Sequence, residues 1–167
     1  MSKPPPPLPD GYPDALPPVE LREWTRDTYR NAFALKVKEH QNGFVADNVG
    51  SLAQALFHEE ARPLGCYAGE LAVGFVMLSV EDVGKGILWV WRFMIGAEHQ
   101  GKGFGRQAIA AVVNHARSME GVERIHLSHV QKPGHPGPFY ESVGFTYTGE
   151  VEHEELIMSR DLTPLEV

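Results

Sequence analysis

The sequence predicts a single α/β domain of the mixed α+β kind, and three observations carry that prediction. A near-continuous apolar run, ILWVWRFMI, has the character of a central strand covered on both faces. A glycine-rich connection, a long amphipathic helix and another β-rich run follow it in turn, which makes a strand, helix, strand unit. Elsewhere β-rich runs come in pairs joined by short glycine or acidic turns, the pattern of hairpins.

Taken in order, residues 3–18, KPPPPLPDGYPDALPP, hold 8 of the 13 prolines. Proline fixes φ and removes a donor, so residues 1–18 are expected as an extended arm ahead of one domain over 19–167. VELRE, from Val19 to Glu23, alternates as a half-buried strand does, and Thr25 offers an N-cap to a helix running toward Val37. Ser51 is the expected cap of a second helix, SLAQALFHEE, with Leu52, Ala55 and Leu56 at helical spacing and Pro63 ending it. LGCYA and LAVGFVMLSV flank Gly69-Glu70 and read as a hairpin, and the apolar run follows a loop containing Gly84 and Gly86.

Residues 104–119 place Ile109, Val112, Val113 and Ala116 on one stripe of a long helix, with Gly121 where a C-cap is expected. ERIHLSHV supplies Ile125, Leu127 and Val130 to a further strand. The tail reads as a short helix through Tyr140, then a hairpin of YTGEV and ELIMSRDL around an acidic turn.

Composition narrows the function. A length of 167 residues suits one core and leaves no room for a second catalytic domain. A formal charge of −7 argues against general nucleic-acid binding, which depends on Lys and Arg neutralising phosphates, and leaves room for a cationic substrate. Cys66 is the lone cysteine and sits in an apolar run, so it is expected as a buried thiol and not a nucleophile. There is no run of about 18 apolar residues and no signal-type leader, so a cytoplasmic protein without a membrane partner is expected. The 8 histidines form no constellation with ligand spacing, and no metal is expected.

The chemistry concentrates in RFMIGAEHQGKGFGRQAI, a strand, a short polar connection, then Gly101, Gly103 and Gly105 opening a helix. Alternate glycines remove Cβ atoms where backbone N–H groups converge, and the helix start adds partial positive charge, so a pyrophosphate fits. The G-x-G-x-x-G dinucleotide fingerprint is not met, since Gln107 and Ala108 follow Gly105-Arg106, and no Gly-Lys-Ser/Thr makes a Walker loop.

The segment resembles the pyrophosphate loop of the GNAT acyltransferase superfamily, Q/R-x-x-G-x-G/A, through Gln100, Gly103 and Gly105. The resemblance runs from about Val19 to Leu162 and includes FYESVGF with the hairpin after it. Within that superfamily GFVADNVGSLAQA, RFMI and TGEVEHEELIM are similar to small-molecule polyamine and diamine acetyltransferases. What the resemblance implies is a central, mostly antiparallel mixed sheet of six to seven strands with about four helices, splayed between its fourth and fifth strands. It also implies acetyl-coenzyme A as cosubstrate, direct transfer to a primary amine in a ternary complex, and a possible homodimer.

By the same resemblance, Gln100, Gly101, Lys102, Gly103, Phe104, Gly105 and Arg106 hold the pyrophosphate, while Phe93, Met94 and Ile95 pair with the pantetheine arm. One backbone N–H of that strand polarises the thioester carbonyl. Tyr140 becomes the general acid for the leaving thiolate, where the residues alone suggest a core aromatic beside Phe139 and Phe145. Glu155 becomes the carboxylate for the amine, with Glu150 on the opposing limb as its alternative, and either also reads as part of a solvated acidic turn. The family's asparagine before the tyrosine helix has no counterpart in KPGHPGPFYE, which leaves His135 or a backbone carbonyl to meet the cofactor arm. Two other readings stay open, a protein or peptide N-acetyltransferase and a non-catalytic coenzyme A-binding module, the second disfavoured by the presence of Tyr140.

Overall fold

The computed structural model describes residues 16–162. Seven strands form one sheet in the order β1-β2-β3-β4-β5-β7-β6. They are β1 Val19–Glu23, β2 Ala61–Ala68, β3 Leu71–Ser79, β4 Ile87–Ile95, β5 Arg124–Val130, β6 Thr146–Glu152 and β7 Glu155–Asp161. The helices are α1 Tyr29–Ala34, α2 Asn48–Ala55, α3 Phe104–Ser118 and α4 Gly137–Ser142. Only β4 and β5 run parallel, joined by the α3 crossover, and every other neighbouring pair is antiparallel. This is the mixed α/β architecture expected.

The two faces of the sheet carry separate cores. On one, α3 lays Ile109, Val112, Val113 and Ala116 against Val76, Leu78, Leu88, Ile125 and Leu127. Each of these aliphatic side chains contributes roughly 1.5–3 kcal/mol on leaving water, so α3 is held by its stripe. On the other, α1 and the segment after it pack Ala32 and Leu35 with Phe75, Met77 and Met94. Both hairpins form as expected, the first with Ala68 opposite Leu71 and the second with Glu152 opposite Glu155.

Several local expectations are corrected. The helix expected from Thr25 starts later: the Thr25 carbonyl accepts from Thr28 N and Tyr29 N, so a turn intervenes and α1 covers only Tyr29–Ala34. Ser51 is not a cap. Asp47 takes that place, its side chain accepting from Gly50 N at 2.7 Å, and Ser51 is buried inside α2 with no partner for its hydroxyl. The helix ends at Ala55, leaving Leu56 and Phe57 exposed, and Pro63 lies within β2. Proline is tolerated there because the β1 ladder reaches only Leu64, so nothing on that side asks for its missing N–H. Met119 is the C-cap of α3, and Gly121, with φ +82, belongs to the turn beyond it.

Of the expected proline-rich arm, residues 1–15 lie outside the described residues, whereas Leu16 packs on the α3 side of the core and the Pro17 ring stands 3.3 Å from where a Cβ on Gly69 would sit.

Candidate active site

The site begins where the sheet opens. β4 and β5 pair from Ile87 with Arg124 to Val90 with Leu127 and then part, while β5 stays paired with β7 as far as Val130. At the parting point β4 carries one extra residue: Met77 faces Arg92 but its neighbour Leu78 faces Val90, so Trp91 is a bulge. The bulge exchanges the faces of the strand. Leu88 and Val90 join the α3 core before it, Phe93 and Ile95 join that core after it, and Met94 turns to the α1 side. β4 is therefore not evenly buried on both faces, because its second half walls a cavity of about 1250 Å³.

One end of that cavity is the glycine connection. Gly101 and Gly103 have φ +75 and +89, Gly103 is the N-cap of α3, and a Cβ on either would meet nothing within 4 Å. Left-handed backbone at both positions favours glycine, and the open space above them is free for a ligand to approach the backbone. The first intrahelical bond runs from Gln107 N to Gly103 O, so the amides of the opening turn point out of the helix end with its partial positive charge. These features fit a pyrophosphate.

Gln100 fastens this connection to the strand. Its amide donates to Ile95 O at 2.9 Å and exchanges hydrogen bonds with the Gln41 amide at 2.8 and 3.1 Å. Gln100, Gly101, Gly103, Gly105 and Arg106 line the cavity together with Phe93, Met94 and Ile95. Two residues named with them do not: Phe104 is buried in the α3 core, and Lys102 Nζ donates back to Glu98 O at 2.7 Å. Arg106 reaches across to α4, donating to Ser142 O and Oγ.

Tyr140 stands on α4 against the wall formed by β4. Its ring meets Phe93, Phe139 and Phe145 at centroid distances of 6.5, 5.5 and 5.9 Å, and Phe93 stacks on Phe139. It is 7% exposed, it lines the cavity, and burial pushes its phenol above the usual value. It is both a core aromatic and a cavity residue. The phenol therefore stays protonated through the neutral range, the state in which it can donate.

Across the splay, Glu155 is half-buried at the start of β7 and accepts a hydrogen bond from Ser128 Oγ. Glu60, Glu81 and Asp82 line the same side, with Trp89 donating from Nε1 to Asp82 at 2.8 Å. Arg92 is the cation of this wall; it lies over the Trp91 ring and donates to Trp91 O and Gln54 Oε1, and burial holds it below its ordinary value. Glu150 lies on the exposed β6 and does not line the cavity.

In the stretch before α4, Gly134 and Pro136 line the cavity and the His135 side chain does not. His129, not His135, faces the cavity. Its Nδ1 donates to Val130 O at 2.9 Å, so Nε2 accepts from the Tyr147 hydroxyl at 3.0 Å, and His135 stacks on its ring. His129 and Ser128 escaped the sequence reading because a polar residue on a strand carries no signal until its neighbours are known. Cys66 is wholly buried away from the cavity, with its thiol pushed up to about 12 by that burial, so it is inert there.

Comparison with known proteins agrees with this geometry. The profile of the Acetyltransferase (GNAT) family matches residues 18–145. The spermine/spermidine N(1)-acetyltransferase of Bacillus subtilis (strain 168) is 27% identical over 150 residues, covering 86% of this chain and 99% of that one. Among solved structures, an acetyltransferase from Thermus thermophilus superposes with a TM-score of 0.68 at 18% identity, covering 86% of this chain and 96% of that one. The spermidine N-acetyltransferase of Vibrio cholerae, solved in complex with CoA and spermine, gives a TM-score of 0.62 at 20% identity over 87% of this chain and 96% of that one. With its family profile matched over most of its length and its sheet splayed beside a glycine-capped helix, this chain belongs to the GNAT family of acetyltransferases.

Proposed function

We propose that the protein transfers an acetyl group from acetyl-coenzyme A directly to a primary amine of a small molecule, with polyamines as the acceptor class. The observation that carries the reading is one cavity with a glycine cradle at one end and a carboxylate wall at the other, meeting at the gap between β4 and β5. Gly101, Gly103, Gly105 and Arg106 hold the pyrophosphate, and Phe93, Met94 and Ile95 offer the backbone edge that β5 leaves unpaired. A preset donor on that edge, aimed at the thioester oxygen, contributes on the order of 3 kcal/mol to the transition state.

Glu155 attracts the protonated amine or takes its proton, and Tyr140 donates its phenolic proton to the departing thiolate. Holding both reactants in one gap supplies orientation without an acyl-enzyme, consistent with the inert Cys66. Gln41–Ala46 line the same cavity as Glu155, in keeping with a small-molecule acceptor. The name of the Bacillus subtilis relative supports a polyamine.

The test is thiol release from acetyl-coenzyme A with spermine, spermidine, short diamines, amino acids and peptides. Turnover confined to the polyamines and diamines is expected; turnover of peptides alone overturns the acceptor assignment.

A further inference from the structure

A second, smaller depression of about 340 Å³ lies on the outer face of α3, bounded by Arg106, Ile109, Val113, Arg117, Val143 and Arg160. Arg106 and Arg117 stand about three turns apart on one helix face, because eleven positions return close to the same angle at 3.6 residues per turn. Helical side chains lean toward the N-terminus, which carries Arg117 over the depression toward Arg106. The floor is apolar, made by the buried Ile109, Val113 and Val143.

Arg160 enters from β7. Its Nη1 donates to Val143 O at 2.7 Å, and its guanidinium lies along Gly144, where a Cβ would sit 3.3 Å from Arg160 Nε. Arg106 likewise bonds only neutral groups of Ser142. Among the described residues none of the three arginines forms an ion pair. Burial and the Arg117 charge together hold the Arg160 guanidinium below its ordinary value. In a chain with 22 acidic and 15 basic side chains, three guanidiniums share one hollow without a carboxylate among its lining residues.

Such an arrangement suits an anion that accepts several N–H bonds at once, and guanidinium forks match the oxygens of a phosphate. Arg106 also lines the main cavity, so the hollow adjoins the glycine cradle.

We propose that Arg117 and Arg160 form a phosphate-monoester site on the outer face of α3, contiguous with the glycine cradle through Arg106. The phosphate has two possible sources: the 3′-phosphate of coenzyme A, which rests on the function proposed above, or a free phosphate-bearing ligand.

Calorimetry on the full chain separates them, using coenzyme A, 3′-dephospho-coenzyme A and inorganic phosphate on wild type, R117Q and R160Q. Arg117 is exposed, so R117Q keeps the fold, which circular dichroism confirms. If the coenzyme supplies the phosphate, wild type prefers coenzyme A over its dephospho form by about tenfold, and R117Q brings that ratio toward one while its affinity for the dephospho form holds. If the phosphate arrives free, the ratio is near one throughout, and inorganic phosphate binds wild type but not R117Q. A ratio near one with no Arg117-dependent phosphate binding overturns the site. If neither coenzyme form binds, the coenzyme reading has failed, and the phosphate titration still decides this one.

Discussion

Ser128 Oγ donates to Glu155 Oε2 at 2.9 Å across the β5–β7 ladder, and both residues line the cavity. Ser128 stands opposite Ile157 and Glu155 opposite Val130, so the two are diagonal neighbours on one face. The bond engages one carboxylate oxygen and leaves the other to meet a cation. Glu155→Gln is expected to raise KM for a polyamine by about fivefold or more, from loss of Coulomb attraction worth ~1–4 kcal/mol, with KM for acetyl-coenzyme A unchanged. Ser128→Ala follows in the same direction by a few-fold. Should Glu155 take the proton instead, kcat falls and the acidic limb of the pH–rate profile disappears.

Tyr140→Phe removes a proton donor while keeping the ring against Phe93, Phe139 and Phe145. Acetyl-coenzyme A affinity is expected to hold while kcat drops on the order of a hundredfold. Burial raises the phenol above its usual value, so its proton is retained as pH rises and lost only above the ordinary tyrosine range. The wild-type profile therefore shows no alkaline fall from Tyr140 below about pH 10. Steady-state kinetics across pH, with a kcat equal to wild type as the contrary result, checks both parts.

Gly103→Asp places a carboxylate where the left-handed N-cap of α3 faces open space. Two effects separate: conformational strain of roughly 1 kcal/mol in the fold, and repulsion of the pyrophosphate. Gly103→Ala carries the first alone. Calorimetry is expected to find acetyl-coenzyme A binding weakened at least tenfold more by the aspartate than by the alanine.

Gly74→Ala strikes the site from the far side of β4. A Cβ there would lie 2.6 Å from Met94 O and 2.8 Å from Ile95 Cδ1, with Gly74 paired to Ile95 in the ladder. Either β3 or the end of β4 must shift. Overpacking of this kind costs about 1–3 kcal/mol, so thermal unfolding is expected several degrees lower, together with a reduced kcat if Met94 and Ile95 form the reactive edge as proposed.

Strands and long helices were legible because alternation and a 3.6-residue stripe are averages over many side chains, and α3 matched its stripe residue for residue. The glycine cradle was legible because a backbone requirement limits the residue type. Short features were not. Ser51 and Asp47 both satisfy the rule for a cap, and only the packing that buries Ser51 and frees the Asp47 carboxylate to meet Gly50 N decides between them. Of the cavity lining beyond the cradle, Glu155 was singled out, but Ser128, Arg92 and His129 acquire meaning only from strands that are distant in the chain.

The bulge at Trp91 makes the count of residues in β4 matter more than their identity. Substituting Trp91 by another strand-forming residue leaves the backbone able to carry the same extra position. Deleting it restores simple alternation, and Phe93 and Ile95 then trade sides with Met94, exchanging the α3 side for the α1 side in one step. The spacing of β4, more than the residue at position 91, therefore sets which side chains stand on each side of the gap.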